Sequence, residues 1–144
     1  MNNNSSSELL NEIYKNAKLG IEAIDTVSSK IDHKTFKNDL NNHAKNYTKF
    51  IEDTRNELSI RNTAPEDNNL MSKANLWSNI QVNTLGDKSV SHVAELMIKE
   101  SNLGIIETTR KNNMYNDADT KSKEIAANYI KSEEDYIKIM ENYL

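Results

Sequence analysis

Residues 44–53 read AKNYTKFIED, and residues 126–135 read AANYIKSEED. A second pair of similar stretches lies upstream of these, KLGI at residues 18–21 and NLGI at residues 102–105. All four stretches lie in segments whose apolar residues recur every three or four positions, which is typical of amphipathic helices. The chain therefore contains two similar copies of one helical hairpin, and this predicts a bundle of paired helices with an internal duplication.

The composition favours a single helical domain. The chain has 144 residues with 3 Gly, 1 Pro and no Cys, and helix-forming residues outnumber the β-branched and aromatic residues typical of strands. Its length is enough to bury a real core. The polar start predicts a disordered tail over residues 1–5, followed by one domain over residues 6–144.

Charge and hydropathy exclude several classes of function. The net charge is −4 with mixed signs along the chain, so no basic patch points to nucleic acid. Without Cys there is no disulfide or thiolate metal site. Neither a secretory leader nor a membrane span is visible in the sequence. We expect a cytoplasmic protein without nucleic-acid or membrane partners.

Four long helices and one short helix are predicted from the apolar periodicity. The long helices cover about residues 6–30, 33–60 and 89–115, and a stretch from Asp117 or Asp119 to the C-terminus. The short helix covers about residues 69–85 within a crossover at 61–87. Asp32, Asp87 or Ser89, and Asp117 or Asp119 are the expected N-caps.

Apolar seams can be assigned to the second and fourth long helices. In the second helix the seam is Phe36, Leu40, His43, Tyr47, Phe50, Thr54 and Leu58. In the fourth it is Ala126, Ile130, Glu133, Ile137, Met140 and Leu144, with Tyr129, Tyr136 and Tyr143 along its edge.

Connection lengths predict the topology. The turn between the first two helices is short, so those helices are antiparallel neighbours. The long crossover allows the second and third long helices to run parallel. The expected fold is all-α, a ferritin-like up-down-down-up four-helix bundle with a short extra helix in the crossover.

The chain resembles the uncharacterised ferritin-like four-helix-bundle proteins of bacteria, a domain family of unknown function. The residues that carry this resemblance are Gly20-Ile21-Glu22, the helix that contains Trp77, and Glu95 and Glu100. Spore-coat proteins of ferritin-like fold are a more distant resemblance. The family implies the fold and offers no established substrate.

A dinuclear iron site is not expected from the residues. Such a site takes a Glu from each of two helices and Glu-x-x-His from each of the other two, and no Glu-x-x-His is present. Glu22 lies opposite the seam of its helix, and Glu100 lies on the flank of its own. Only His43 and Glu133 fall on seams. These four are the weak metal candidates, for iron or manganese, and no cofactor is predicted.

His43 and Glu133 still need partners if both are buried. They can pair with each other, with a tyrosine hydroxyl or with water, and this interpretation is favoured over a mononuclear metal or a catalytic pair. The sequence does not fix whether they lie at the same height in the bundle.

The third long helix has a second apolar stripe, formed by Leu96, Leu103 and Ile106. A helix that is apolar on two faces is covered on two sides. The Trp77 helix of the same chain is the favoured cover, and the alternative is a homodimer or protein-partner interface.

Two functions compete. The favoured hypothesis is a non-enzymatic bundle that acts through interaction, in stress or spore physiology. The alternative is a degenerate metal-binding ferritin relative with oxidoreductase or metal-storage activity, which rests on fold analogy.

Overall fold

The computed structural model describes residues 3–68, 70–84 and 86–144. Within these residues the chain forms five helices and no strand, which confirms the all-α prediction. The helices are α1 (Asn3–Ser28), α2 (Lys34–Ile60), α3 (Leu70–Thr84), α4 (Val90–Met114) and α5 (Thr120–Glu141). None of them is long and apolar enough to cross a membrane.

The helix starts agree with the predicted caps at two of three ends. Ser89 and Asp119 are the N-caps of α4 and α5, and each side chain accepts a backbone N–H three residues later. Asp32 is not the cap of α2. His33 takes that place because its Nδ1 accepts the backbone N–H of Phe36 at 3.1 Å.

The first helix begins earlier than predicted. α1 starts at Asn3 rather than at Ser6, so part of the stretch expected as a tail is helical. Ser5, Ser6 and Ser7 are all buried, and the Ser6 hydroxyl accepts the backbone N–H of Asp119 at 2.8 Å. Met1 and Asn2 lie outside the described residues.

Contacts at the helix ends give the helix directions. α1 and α2 form one hairpin, and α4 and α5 form another. Asp39 near the start of α2 bonds with Tyr143 after the end of α5. Arg61 after the end of α2 bonds with Asp119 at the start of α5. Since α2 is antiparallel to α5, and α5 to α4, helices α2 and α4 run in the same direction.

The repeated sequence corresponds to a repeated contact. Gly20 on α1 faces Tyr47 on α2, so that a Cβ at Gly20 would lie only 2.4 Å from the tyrosine ring. Gly104 on α4 faces Tyr129 on α5, and a Cβ there would lie 3.0 Å from the tyrosine hydroxyl. In each hairpin a glycine on the first helix leaves space for a tyrosine on the second.

The predicted apolar seam of α2 is confirmed, but the buried face of α5 is rotated about the helix axis relative to the predicted seam. Tyr129 and Tyr136, expected at the edge, are only 1% and 2% exposed. Ile130 and Ile137, expected at the centre, are half-buried, and Leu144 is exposed. The core of α5 is therefore aromatic and polar around its middle.

The short crossover helix packs mainly beside α1. Lys73 on α3 lies 3.6 Å from the Glu22 carboxylate, and Lys30 after α1 donates to Gln81 on α3 at 2.7 Å. The predicted ends of this helix, Asn69 and Leu85, lie outside the described residues. By lying along α1, α3 leaves part of α4 uncovered.

Candidate functional site

A buried polar cluster lies between α2 and α5. His43 Nε2 is 2.6 Å from Glu133 Oε1, and the Tyr47 hydroxyl donates to Glu133 Oε2 at 2.9 Å. All three residues are at most 4% exposed. His43 and Glu133, the two polar residues predicted to lie on seams, are therefore in contact. Of the partners considered from the sequence, the structure shows two, namely each other and a tyrosine hydroxyl.

Two further tyrosines enclose this cluster. The Tyr136 ring stacks on the His43 ring, with 3.7 Å between centroids and 8° between planes. The Tyr129 ring meets Phe50 edge-to-face at 5.4 Å. Burial, and after it the Glu133 charge, raises the pKa of the Tyr47, Tyr129 and Tyr136 hydroxyls above the usual range. These hydroxyls therefore stay protonated and can act as hydrogen-bond donors.

Glu133 is reached from outside the bundle through a small inner cavity of about 90 Å³. Its walls come from α1, α2, α4 and α5, and include Gly20, Tyr47, Gly104, Tyr129 and Glu133. Both hairpin glycines, each facing its tyrosine, lie on these walls.

The inner cavity adjoins an outer groove of about 580 Å³ between α1, α3 and α4. Five residues line both spaces, namely Asn16, Leu19, Glu100, Leu103 and Glu107. Asn16 is held in place because its amide donates to the Thr108 hydroxyl at 3.2 Å. A continuous path therefore leads from the surface to the buried carboxylate.

The outer groove is acidic. Glu12, Glu100 and Glu107 line it and are half-buried. Burial, and after it the charge of Glu107, raises the pKa of the Glu12 and Glu100 carboxyls above the usual range. The charge of Glu107 thus repels the charged forms of Glu12 and Glu100, and a bound positive charge would offset this repulsion.

His43 faces a different space from Glu133. It lines a second groove of about 350 Å³ on the opposite, α2–α5 side, together with Asp39, Lys49 and Tyr136. The hydrogen-bonded His43–Glu133 pair thus lies between the inner cavity, which Glu133 lines, and this second groove, which His43 lines.

The four weak metal candidates do not come together. Glu22 lies away from the cavity, next to Lys73. Glu100 lines the cavity, whereas His43 is separated from it by Glu133. In residues 3–68, 70–84 and 86–144, no three His, Asp or Glu side chains are placed so that they could hold one metal ion.

The predicted interaction stripe is only partly covered. Leu96 is buried at 6% exposure, but Leu103 and Ile106 are each 51% exposed. The Trp77 side chain lies outside what the structure describes, so its predicted contact with this stripe stays a prediction. The expected full cover of α4 by the crossover helix is wrong at Leu103 and Ile106, because α3 packs mainly on α1.

Sequence reasoning missed Tyr129, Glu107 and Glu12 as parts of the site. Tyr129 aligns with Tyr47 in the repeat, and this correspondence was the available signal for its burial. No local pattern singles out Glu12 or Glu107, which meet only because α1 packs against α4.

Comparison of the chain with family models, with curated proteins and with solved structures finds no match. The resemblance to a ferritin-like family therefore stays a prediction.

Proposed function

We propose that this chain is a ferritin-like four-helix bundle that acts by binding rather than by catalysis, as an interaction protein in stress or spore physiology of a bacterial cytoplasm. The parallel course of α2 and α4, the crossover helix between them and the duplicated glycine–tyrosine contact support the ferritin-like topology.

The observation that carries the proposal is the set of side chains around the inner cavity. A dinuclear centre needs carboxylates from all four long helices. Among the described residues around the inner cavity, the carboxylates come from α4 and α5 alone, whereas α1 and α2 contribute Asn16, Gly20 and Tyr47. The central carboxylate, Glu133, already accepts Tyr47 and is bonded with His43. Each of its two oxygens therefore already has one hydrogen-bond partner within the protein.

Exposed apolar surface on α4 supports interaction with another chain. Leu103 and Ile106 are half exposed on a helix whose other face is fully packed. The buried centre of a protein–protein contact is more apolar than the rest of a protein surface. The partner is a second copy of the chain or a different protein.

Solution mass and metal content test this proposal together. For a homodimer we expect light scattering to give twice the chain mass, and Ile106→Ser to halve it. Ile139→Ser is the matched control because Ile139 is also exposed, at 41%, but lies on α5. If both variants behave as the wild type at monomer mass, self-association through this stripe is contradicted, and the partner is a different protein.

The second candidate is a metal-binding ferritin relative with oxidoreductase or metal-storage activity. It is favoured by one observation, that Glu100, Glu107 and Glu133 line one cavity. Titration with Fe(II) and Mn(II) under argon separates the candidates. We expect no stoichiometric uptake. Two ions per chain, lost in Glu133→Gln but not in Glu22→Gln, would establish the alternative.

A further inference from the structure

The carboxylates of the acidic groove are not engaged in ion pairs with the described residues. Among the described residues, Glu12, Glu100 and Glu107 form no ion pair. Lys15 also lines the groove, but its ammonium is 2.9 Å from the Glu66 carboxylate. Three carboxylates thus face one concave space. Burial, and after it the charge of Glu107, raises the pKa of Glu12 and outweighs the charges of Lys111 and Lys15, which lower it.

An independent feature lies at the inner end of this space. Tyr129 is 1% exposed and lines the inner cavity. Its hydroxyl forms no hydrogen bond with the part of the chain that the structure describes, whereas the Tyr47 hydroxyl is bonded to Glu133. The Tyr129 hydroxyl opens onto the inner cavity, so a molecule bound there can supply its hydrogen-bond partner. The hydroxyl is directed at the gap that Gly104 leaves open.

The spacing of the carboxylates indicates the shape of the ligand. Glu100 and Glu107 are seven residues apart on α4, which is about 10 Å along a helix axis. A single divalent ion needs oxygen ligands that converge at about 2–2.6 Å, and among the described residues no three His, Asp or Glu side chains are placed for this. A ligand whose positive charges are distributed along a chain fits this arrangement.

The apolar walls agree with such a ligand. Leu19, Leu76 and Leu103 line the groove between the acids, and methylene groups pack well against leucine. The inner cavity of about 90 Å³ has space for about three water-sized groups, which suits a head group and not a ring system. Tyrosine rings and a carboxylate favour an ammonium head group.

From these features we infer that the groove and inner cavity bind a linear aliphatic polyamine, with one terminal ammonium between Tyr129 and Glu133 and the remaining ammonium groups beside Glu100, Glu107 and Glu12. The inference goes beyond the proposed function, since it needs neither the ferritin-like topology nor a protein partner.

Isothermal titration of the full chain with spermidine tests it. We expect one site per chain, and a Kd at least tenfold weaker in Glu100→Gln and in Glu107→Gln. Glu95→Gln is the matched control: it removes the same charge from the same helix, but Glu95 lies outside the groove and contacts Lys99. We expect its Kd to equal that of the wild type.

Tyr129→Phe separates binding from folding. This change removes only a hydroxyl that has no partner in the described residues, so we expect an unchanged thermal midpoint together with at least fivefold weaker spermidine binding. A purely structural role for Tyr129 would leave the Kd unchanged.

Three results would overturn the inference. They are the absence of spermidine binding, equal weakening by Glu95→Gln and Glu100→Gln, which would indicate diffuse charge attraction, and displacement of spermidine by equimolar Mg²⁺, which would indicate an inorganic cation site. 1,8-Octanediol, which has similar length and no charge, should not bind. If it binds as tightly as spermidine, the carboxylates are not the recognition elements.

Discussion

Replacing Glu133 with leucine removes the one acceptor shared by two buried groups. The two carboxylate oxygens contact His43 Nε2 at 2.6 Å and the Tyr47 hydroxyl at 2.9 Å. After the change, both groups would remain in a core where each is 4% exposed. A buried polar group without a partner costs about 1–3 kcal/mol, so we expect Glu133→Leu to lower the free energy of unfolding by about 3–5 kcal/mol.

The loss in free energy of unfolding caused by Glu133→Leu should become smaller when His43 and Tyr47 are replaced as well. His43→Leu alone leaves Glu133 with one partner, while the His43→Leu/Glu133→Leu double variant leaves only Tyr47 unpaired. We therefore expect the double variant to be more stable than the sum of the single changes predicts, by about 2 kcal/mol. Adding Tyr47→Phe makes the cluster apolar, and the triple variant should regain most of the wild-type stability because apolar replacement of a buried ionic group is often neutral or stabilising.

Urea unfolding followed by far-UV circular dichroism measures these differences, provided that the slope m is the same for all variants. Tyr136→Phe is the control. Its hydroxyl is buried and has no partner in the described residues, so its removal breaks no hydrogen bond and should not lower the free energy of unfolding. Additive effects of His43→Leu and Glu133→Leu, within about 0.5 kcal/mol, would refute the reasoning.

Two other parts of the structure give separate predictions. Gly20→Ala should lower stability by about 1–3 kcal/mol through overpacking, since its Cβ would meet the packed Tyr47 ring at 2.4 Å. Gly104→Ala should change it by less than about 1 kcal/mol, because the Cβ meets only the tip of Tyr129 and alanine favours helix. Equal losses in thermal melts would contradict this distinction. Asp119→Ala removes an N-cap and should cost about 1–2 kcal/mol at pH 7. Burial would raise the pKa of Asp119, but hydrogen bonds, chiefly from the Arg61 guanidinium, lower it to about 2 from 3.8. Its stabilisation is therefore complete above about pH 4 and is lost as the pH falls through about 2. The two stability curves should converge there, and a constant difference down to pH 2 would contradict an ionic contribution.

Much of the packing was predictable because helical periodicity reports it directly. Every predicted seam residue of α2 is buried or half-buried, and His43 lies where its spacing indicates. In α5 two seams fit the same spacing, since 126-130-133-137 and 126-129-133-136 both alternate steps of three and four. Periodicity alone cannot choose between them, and packing of Tyr129 against Phe50 decides for the second.

The parts of the site that were not predictable depend on contacts between distant segments. Glu12 and Glu107 are ordinary surface-type residues in the sequence, and they face one groove only because α1 crosses α4. The same holds for Leu103 and Ile106, whose exposure follows from α3 lying along α1. Spacing within one helix carries no information about such neighbours.

The buried His43–Glu133 pair is a point at which the two similar hairpins, α1–α2 and α4–α5, differ from each other. Adding 82 to a position of α2 gives the matching position of α5, which aligns His43 with Ile125 and Ile51 with Glu133. In the repeat, the positions that correspond to His43 and Glu133 are thus both isoleucine, Ile125 and Ile51. A hairpin associating with its own copy would bury two histidines, or two carboxylates, against isoleucine, which is costly. Only two unlike hairpins satisfy both groups, and a chain that carries both hairpins brings each of them to the other.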